Sequence, residues 1–476
     1  MPEVMNESFI QALLRVVSDE QSHRLAIDLD NGQTWLEIDR CATELDWVII
    51  PVPAFFSIEQ RTHMLELSGI DVVCCDQQML PWWQAQGFQI VHCDNGQKAR
   101  VFCLYRTAEH APVIPEGTHK ITFTSGTTGQ PKGVCLSQAH LHTVGQSLAQ
   151  AIDHLGLSRH ISLLPYSVLL ENMAVSYANQ LAGLEVIALP LAEVGMTGSG
   201  QLNMTTMLDA ICQHRADSMI MMPQMLKQLV MILDQHPRDL SFINFIAVGG
   251  AVCSAQLIEQ AQSVGLPVFQ GYGISECGSV ICLDHQASAP GSVGRPLPHC
   301  QLEVAADGEI LVQGPQHLGY LEAQQDTVTD PQVPFATGDI GHFDESGHLY
   351  ISGRKKHLII NSFGRNILPD WIEGELLAIG GILQAIIYGE AEPFLTALCV
   401  TQMKQHELHQ AISVLNQQLP DYAQLKAAVI VPPFTPSNGL LTASGKPVRS
   451  QIFNQHQPLL ESIYATNTCP AKAHAI

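Results

Sequence analysis

The chain has 476 residues, of which 46% are apolar and 14% are charged, and its formal net charge is -22. A chain of this length is too long to fold around one ordinary hydrophobic core, so two or three packed units are expected. Its apolar fraction is too high for a disordered protein. The acidic balance excludes nucleic acid as a partner and would repel an anionic membrane surface outside any local basic patch.

The chain shows no predicted signal peptide and no apolar run long enough to span a membrane. The longest candidate, from Ser218 to Leu233, is interrupted by Pro223 and Lys227. The 13 cysteines are scattered without zinc-site spacing, as expected of buried thiols in a reducing compartment. These features predict a cytoplasmic protein without a transmembrane segment. The low charged fraction leaves peripheral membrane association open.

Strand-like apolar runs alternate with helical patterns through the first part of the chain. His119 to Thr124 alternates as a strand does, and Ser137 precedes apolar residues at helical spacing from Leu141 to Ile152. Phe242 to Val248 is almost wholly apolar, as in a strand covered on both faces, and Val268-Phe269 is a shorter run of the same kind. This alternation predicts an α/β body.

From about Gly291 onward, the pattern changes to short strands separated by glycine and proline. The predicted strands are Gly308 to Gln313, His348 to Ser352, Ala385 to Tyr388, Phe394 to Val400 and Ala427 to Val431. A glycine followed by three cations, Gly353-Arg354-Lys355-Lys356, predicts an exposed linker between domains. We therefore expect a large domain over residues 1–352, a hinge over residues 353–356 and a small domain over residues 357–476.

The segment from Thr122 to Gly133 reads TFTSGTTGQPKG and carries the strongest chemical signal in the chain. Its glycines allow backbone amides to approach an anion, its hydroxyls can donate to phosphate oxygens, and Lys132 adds positive charge. It follows a predicted strand and is expected to precede a helix. It is not a Walker loop, because Pro131 stands where that motif has its second glycine. The chemistry favours a phosphate site over a flexible polar turn.

This loop resembles the phosphate loop of the superfamily of AMP-forming acyl-CoA synthetases, adenylation domains and luciferases. Six further motifs of that superfamily follow in order: GYGISECG at Gly271–Gly278, GSVGRPLP at Gly291–Pro298, GPQHLGY at Gly314–Tyr320, TGD at Thr337–Asp339 with Gly347 and Gly353-Arg354, RNILP at Arg365–Pro369 with Ile372-Glu373, and NGLLT at Asn438–Thr442 with Lys446 and Arg449. Ordered matches from about residue 120 to residue 453 argue against coincidence. The motif style is nearest to that of long-chain fatty acid–CoA ligases.

The resemblance implies an α/β fold, with a large N-terminal domain of α/β subdomains plus a β-barrel-like part. A small, mobile α+β C-terminal domain would carry the catalytic lysine. It also implies ATP-dependent activation of a carboxylic acid as acyl-AMP, with release of pyrophosphate and then acyl transfer to CoA. ATP, Mg²⁺ and CoA are the implied cofactors and co-substrates, and a medium- or long-chain fatty acid is the expected acid.

By the same resemblance, the loop would hold the β- and γ-phosphates of ATP through Thr124, Ser125, Gly126, Thr127, Thr128, Gly129 and Lys132. Glu276 and Thr127 would coordinate Mg²⁺, which prefers hard oxygen ligands. Lys446 would reach the attacking carboxylate and the α-phosphate and offset the charge that develops as pyrophosphate leaves. The implied catalytic residues are therefore Lys446, Glu276, Thr127 and Lys132.

Later motifs would bind the nucleoside. Tyr272 would stack on the adenine, Ser275 would bond the α-phosphate, and Asp339 would accept hydrogen bonds from the ribose hydroxyls. The residues assigned to the nucleotide in this way are Gly250, Ala251, Gly271, Tyr272, Gly273, Ser275, Asp339 and Arg354. The small domain would then rotate about Lys356, and the segment around Gly364 would line a tunnel for the pantetheine thiol.

Taken singly, each of these residues has a simpler explanation. Asp339 would usually be a turn residue, Tyr272 a core residue, Glu276 a solvated carboxylate and Lys446 a surface lysine. Only the complete, ordered series of motifs favours the functional interpretation.

Three features depart from the superfamily pattern. Ser275 stands where threonine is usual, and this substitution keeps the hydroxyl. Leu163 to Asn172 reads LLPYSVLLEN, without the histidine of the related LPLxH element, although Glu171 resembles the glutamate that follows it in long-chain enzymes. The region before the phosphate loop is also short. These departures leave the identity of the acid open.

Two alternative functions remain at this stage. One is a fatty-acyl-AMP ligase or stand-alone adenylation domain that loads an acyl carrier protein instead of CoA. The other is a non-catalytic nucleotide-binding protein, which the intact Lys132, Glu276, Asp339 and Lys446 argue against. A homodimer is compatible with the sequence but is not indicated by it.

Overall fold

The computed structural model describes residues 23–94, 100–107, 112–125, 131–197, 201–284, 289, 291–321, 332–442 and 445–467. Between residues 23 and 136, the elements are β1 Arg24–Asp28, α1 Gln33–Glu44, β2 Val48–Pro51, α2 Ile58–Ser68, β3 Val72–Asp76, α3 Leu80–Ala85, β4 Gln89–Asp94, β5 Val101–Tyr105, β6 Lys120–Ser125 and β7 Pro131–Leu136.

The elements that follow, up to residue 296, are α4 Gln138–Ile152, β8 Arg159–Ile161, α5 Leu169–Met173, α6 Asn179–Ala182, β9 Glu185–Ile187, β10 Met196–Thr197, β11 Gln201–Leu202, α7 Met204–His214, β12 Ser218–Met221, α8 Pro223–Gln235, β13 Phe245–Val248, α9 Ala255–Ser263, β14 Val268–Tyr272, β15 Cys282–Leu283 and β16 Arg295–Pro296. The remaining elements are β17 Gln301–Val304, β18 Glu309–Gln313, β19 Gly319–Tyr320, β20 Phe335–Phe343, β21 Leu349–Arg354, β22 Ile359–Ile360, β23 Asn366–Ile367, α10 Pro369–Ala378, β24 Ile382–Tyr388, β25 Leu395–Thr401, α11 Gln405–Asn416, β26 Leu425–Ile430 and α12 Arg449–Asn467.

The first sheet has eight strands in the order β19-β7-β6-β2-β1-β3-β5-β4. Its centre, β6-β2-β1-β3, is parallel, and antiparallel strands extend both edges. Leu25, Ala26 and Ile27 of β1 are fully buried, as expected for a central parallel strand covered on both faces.

The second sheet has seven strands in the order β16-β15-β14-β13-β12-β8-β9. Strands β13 and β14 confirm the two apolar runs predicted as buried strands, and they run parallel with β12, β8 and β9. Ile246 of β13 shares a buried core with Leu226 and Leu229 of α8. Sheet and helix therefore bury each other's apolar faces, and the carboxyl ends of β13 and β14 lie side by side.

The segment that carries the predicted phosphate loop contains strands β6 and β7, and the helix expected after it is confirmed as α4. Strands β6 and β7 pair antiparallel, with Thr124 opposite Lys132. Helix α4 begins only after β7, where Ser137 Oγ accepts the His140 amide at 3.2 Å and caps the helix as predicted. Strand β7 therefore lies between the loop and the helix, a strand that the sequence analysis did not predict.

A four-stranded antiparallel sheet, β17-β18-β20-β21, follows the second sheet and corresponds to the expected β-barrel-like part. Its last pair sets Asp339 directly opposite Arg354. Strand β21 continues to Arg354, and a 3₁₀ turn, Lys355–His357, follows it. The predicted hinge thus begins at the end of a strand.

The C-terminal part is α+β, as expected. Strands β24, β25 and β26 form a three-stranded sheet that α10, α11 and α12 accompany along the chain. Ile387 and Ala397 of this sheet share a buried core with Ile372 and Leu376 of α10 and Leu408 of α11. Within the described ranges, no helix has both the length and the apolar character that crossing a membrane requires.

Candidate active site

A two-residue strand brings a tyrosine to the hairpin formed by β6 and β7, which we call the phosphate hairpin. Strand β19 pairs with β7, with Tyr320 opposite Val134. The Tyr320 ring centre lies 5.8 Å from Lys132 Nζ. The Tyr320 hydroxyl donates a hydrogen bond of 2.8 Å to Glu276 Oε1. Lys132 and Glu276, which lie far apart in the chain, therefore meet around one phenol ring. The sequence analysis placed Tyr320 in a motif but assigned it no role.

The segment after β14 forms a tight turn that presents Glu276. Ser275 to Cys277 make one 3₁₀ turn, and the Glu276 carbonyl accepts the His317 amide at 2.7 Å. A Cβ atom at Gly273 would lie 1.9 Å from the Ser279 carbonyl oxygen, so only glycine fits there. The glycine of this motif therefore has a steric reason, and the turn fixes where the Glu276 carboxylate lies.

Asp339 is the centre of a buried polar cluster. Its side chain is 5% exposed, and its Oδ1 lies 2.7 Å from Arg354 Nε. Its Oδ2 accepts the Tyr272 hydroxyl at 2.7 Å. Burial raises the pKa of Asp339, and Arg354 opposes this rise. Burial and the Asp339 charge raise the pKa of Tyr272, which keeps the phenol protonated as a donor. The structure thus brings together three residues predicted to bind the nucleoside.

Lys446 comes from the other end of the chain to the same cluster. Its backbone amide donates to Thr442 Oγ1 at 3.0 Å, and the Thr442 amide donates to the Lys446 carbonyl at 2.8 Å. Lys446 is exposed. Surrounding protein and Arg354 lower its pKa, whereas Asp339 and Glu276 oppose that shift. The ammonium of Lys446 therefore lies within electrostatic reach of both carboxylates.

The predicted hinge residue lies between two sets of polar contacts. Lys355 Nζ binds Asp307 Oδ2 and Glu309 Oε2, each at 2.7 Å, so the chain is anchored to the four-stranded sheet just before Lys356. Lys356 keeps an exposed surface, yet partial desolvation by nearby protein, and then the positive charges of Arg354 and Lys446, lower its pKa. The lysine at the hinge therefore interacts electrostatically with charged residues of the candidate site.

Gly249-Gly250-Ala251 leave the carboxyl end of β13 next to the segment that carries Tyr272. A Cβ atom at Gly249 would lie 3.2 Å from the Gly271 carbonyl oxygen, and Gly250 has φ of +79°. Gly250 and Ala251 are exposed. The two segments predicted to bind the base therefore run close together, and Gly250 and Ala251 are accessible from solvent.

Several predicted residues cannot be placed against this cluster. Gly126, Thr127, Thr128 and Gly129 lie outside the described residues, and so does the side chain of Ser125. Thr124 is half-buried, and Lys132, which is paired opposite it, is exposed. Gly364 lies in an exposed turn between β22 and β23, beside Phe363, whose side chain is 73% exposed. The roles of these residues remain predictions.

The carboxylate of Glu276 fits a magnesium ion that is held mainly by nucleotide phosphates. Among the described residues, no group of three or more His, Cys, Asp and Glu side chains is arranged to hold a metal. Mg²⁺ commonly uses one or two protein carboxylates and completes its shell with phosphate oxygens and water. Glu276, fixed by Tyr320 and facing the hairpin, has the chemistry of such a carboxylate.

The LLPYSVLLEN segment lies in a buried polar environment. Glu171 is fully buried, and its Oε1 lies 3.3 Å from His160 Nε2, a histidine contributed by β8. The other His160 nitrogen, Nδ1, lies 3.1 Å from Ser218 Oγ. A histidine therefore accompanies Glu171 although the segment itself has none. The sequence could not indicate this, because His160 precedes the motif.

The profile of the family described as AMP-binding enzyme matches residues 11–329, more than half of the chain. Two curated relatives are CoA ligases. Indoleacetate–CoA ligase of Aromatoleum aromaticum is 31% identical over 300 residues, covering 59% of this chain and 56% of the relative, so the match spans little more than half of that protein. 2-Succinylbenzoate–CoA ligase of Bacillus mycoides is 30% identical over 398 residues, covering 79% of this chain and 77% of the relative.

Among solved structures, the fold is similar to that of o-succinylbenzoate coenzyme A synthetase from Bacillus subtilis in complex with ATP and magnesium ion. The TM-score is 0.72 at 22% identity, covering 93% of this chain and 91% of the other. This similarity shows the architecture, and the profile match and the long alignment to the Bacillus mycoides ligase show the family. The chain therefore belongs to the AMP-binding enzyme family.

Proposed function

We propose that this protein is an AMP-forming acid–thiol ligase, which activates a carboxylic acid with ATP and transfers the acyl group to CoA. The observation that carries the proposal is the convergence of Lys446, Asp339 and Glu276. A cation from the last part of the chain lies within reach of two carboxylates that family motifs assign to the ribose and to Mg²⁺. The CoA ligase names of two relatives support the same reaction.

In the first step, the acid's carboxylate would attack the α-phosphorus of ATP and displace pyrophosphate. Asp339, held by Arg354 and Tyr272, would accept the ribose hydroxyls and fix the nucleoside. Lys446 would lie beside the attacking carboxylate and the α-phosphate, where its charge offsets the negative charge gathered in the transition state.

The phosphate hairpin would hold the leaving pyrophosphate through Lys132 and the hydroxyls of the loop, with Ser275 at the α-phosphate. Glu276, with Thr127, would hold the Mg²⁺ that accompanies ATP. That ion supplies positive charge to the phosphate oxygens. Tyr320 keeps the Glu276 carboxylate aimed at the hairpin by donating to Oε1.

In the second step, the CoA thiol must reach the acyl-AMP that the first step leaves in the site. Lys356, the residue after the anchored Lys355, would be the hinge about which the small domain turns. Lys446 would leave the site, and the exposed turn around Gly364 would line a path for the pantetheine thiol. Attack of the thiol on acyl-AMP would release AMP and form the thioester.

An aromatic acid is the favoured substrate class. The motif style predicts a medium- or long-chain fatty acid, but the two relatives described above are named for indoleacetate and 2-succinylbenzoate. The buried Glu171–His160 pair in the LLPYSVLLEN segment is a further departure from the LPLxH pattern. Fatty acids remain the alternative, because Glu171 itself follows the long-chain pattern.

Release of pyrophosphate is the direct test. The full chain is incubated with MgATP and with short, medium, long and aromatic acids, with and without CoA. We expect pyrophosphate with one acid class, and AMP plus acyl-CoA only when CoA is present. If acyl-AMP forms but CoA does not discharge it, the acceptor is instead a carrier protein. No pyrophosphate with any acid would contradict the proposal.

A further inference from the structure

A lysine on the large domain binds the end of a helix on the small domain. Lys227 lies on α8, before the hinge, and its Nζ donates to the carbonyl oxygens of Leu377, Ile379 and Ile382. The Nζ–O distances are 3.0 Å to Ile379 and 2.8 Å to Ile382. These carbonyls lie at and just beyond the C-terminal end of α10. The lysine that interrupted an apolar run in the sequence thus spans the two domains.

The chemistry of this contact is specific. The last carbonyls of a helix have no partners within the helix and carry partial negative charge. An ammonium has three donors, and all three are used here. Lys227 therefore closes the end of α10 as a C-terminal cap supplied by another domain.

The other end of α10 is bound to the hinge, where strand β21 ends, and to the residue that follows it. Asp370, in the first turn, accepts the backbone amide of Arg354 at 3.3 Å, and His357 Nδ1 lies 2.9 Å from its second oxygen. Arg354 belongs to β21 and binds Asp339. The two ends of α10 thus determine how the small domain lies against the nucleotide site.

Helix α10 is also bound to the segment that follows Lys446. Glu373 on this helix binds Arg449, which also lies 3.6 Å from Asp370. Arg449 lies three residues after Lys446 and is the first residue of α12. A shift of α10 would therefore move the loop that carries Lys446.

Burial of the ammonium opposes this contact. It lowers the pKa of Lys227 to about 8, so holding the charged lysine in this place costs free energy. The contact therefore combines three hydrogen bonds with an unfavourable desolvation, which suits an arrangement that must form and break in each turnover.

We propose that Lys227 is a positioning residue that holds the small domain in the arrangement that brings Lys446 to the nucleotide. This inference rests on the proposed two-step function. It assigns Lys227 to the first step alone, because rotation about the hinge must separate α8 from the end of α10.

The test measures the two half-reactions separately in the full-length chain. The first is pyrophosphate formation from ATP and acid, and the second is thioester formation from supplied acyl-AMP and CoA. Lys227→Met removes all three donors, and we expect it to lower the first rate by about tenfold and leave the second unchanged or faster. Lys227→Arg keeps charge and donors and should recover most of the first rate.

Hydrogen exchange supplies a second readout that needs no activity. If Lys227 holds the domains together, the Arg354 amide, which is bound to Asp370, should exchange faster in Lys227→Met than in the wild type. An equal loss of both half-reactions, or unchanged rates with unchanged exchange, would overturn the proposal. Wild-type protein that forms no acyl-AMP would instead overturn the proposed function, and the exchange comparison would still decide the role of Lys227.

Discussion

The hydroxyl of Tyr320 donates to Glu276 Oε1 at 2.8 Å, and the same ring lies under the ammonium of Lys132. Three motifs that are well separated in the chain therefore meet at one phenol. The pairing of β19 with β7 is what carries Tyr320 to this place. The contact joins the proposed Mg²⁺ carboxylate to the proposed phosphate hairpin.

Tyr320→Phe should weaken the use of MgATP. The variant keeps the ring against Lys132 but leaves the Glu276 carboxylate without its neutral donor. A hydrogen bond to a charged group contributes about 1.5–3 kcal/mol, so the KM for MgATP should rise by about tenfold or more, with a smaller change in kcat. Steady-state pyrophosphate release over a range of MgATP concentrations measures this. Tyr422→Phe, at a tyrosine that is 47% exposed, is the matched control.

Lys446→Ala should separate the two chemical steps. Removing one preorganised charge from a transition state typically costs a factor of about 10² to 10³ in rate, and adenylation should fall by at least that much. Thioester formation from supplied acyl-AMP should remain largely intact, because Lys446 would be outside the site in that step. Lys426→Ala, at an exposed lysine of β26, is the control. Equal losses in both steps would exclude the assigned role of Lys446.

Lys356→Pro should block the second step more than the first. Proline fixes φ and restricts the residue before it, so it limits rotation at the hinge while Lys355 stays anchored to Asp307 and Glu309. Lys356→Ala removes the same charge without restricting the backbone, and it should lose much less of the second step. Single-turnover thioester formation from acyl-AMP distinguishes the two variants. Normal overall turnover by the proline variant would remove the hinge argument.

His119 should make stability fall in mild acid. Burial and then the neighbouring Lys120 lower its pKa from 6.5 to about 4. The unfolded chain therefore binds more protons than the folded one between those values, and the free energy of unfolding falls as pH drops through that window. At about 1.4 kcal/mol per pKa unit, the loss from this group approaches about 3 kcal/mol. Denaturant unfolding at pH 7, 6 and 5 should show a shallower slope for His119→Asn, and an identical slope would refute this assignment.

The sequence predicted those elements whose signal is local. Ser137 caps α4, and the apolar run from Phe242 to Val248 contains β13, because capping chemistry and double-sided burial leave marks within a few residues. The strand β7 was missed because Pro131-Lys132-Gly133 resembles a turn. Its strand state comes from pairing with β6 and β19, which are tertiary partners.

In the candidate site too, residues within motifs were predicted, whereas residues that depend on tertiary contacts were not. Asp339, Arg354, Glu276 and Lys446 were predicted from their motif positions, and the structure brings them together. Lys227 could not be assigned, because its partners are backbone carbonyls, which any residue type can offer. His160 was missed because it lies outside the motif, on strand β8, and only the fold brings it next to Glu171.

The central claim is that Lys446 and the phosphate hairpin act on one bound ATP. The most direct measurement is acid-dependent exchange of labelled pyrophosphate into ATP, made on the wild type and on Lys446→Ala. The account predicts exchange that depends on a carboxylic acid in the wild type and a loss of at least about 100-fold in the variant. Exchange that persists without Lys446, or a wild-type protein that neither binds ATP nor exchanges pyrophosphate with any acid, would contradict it.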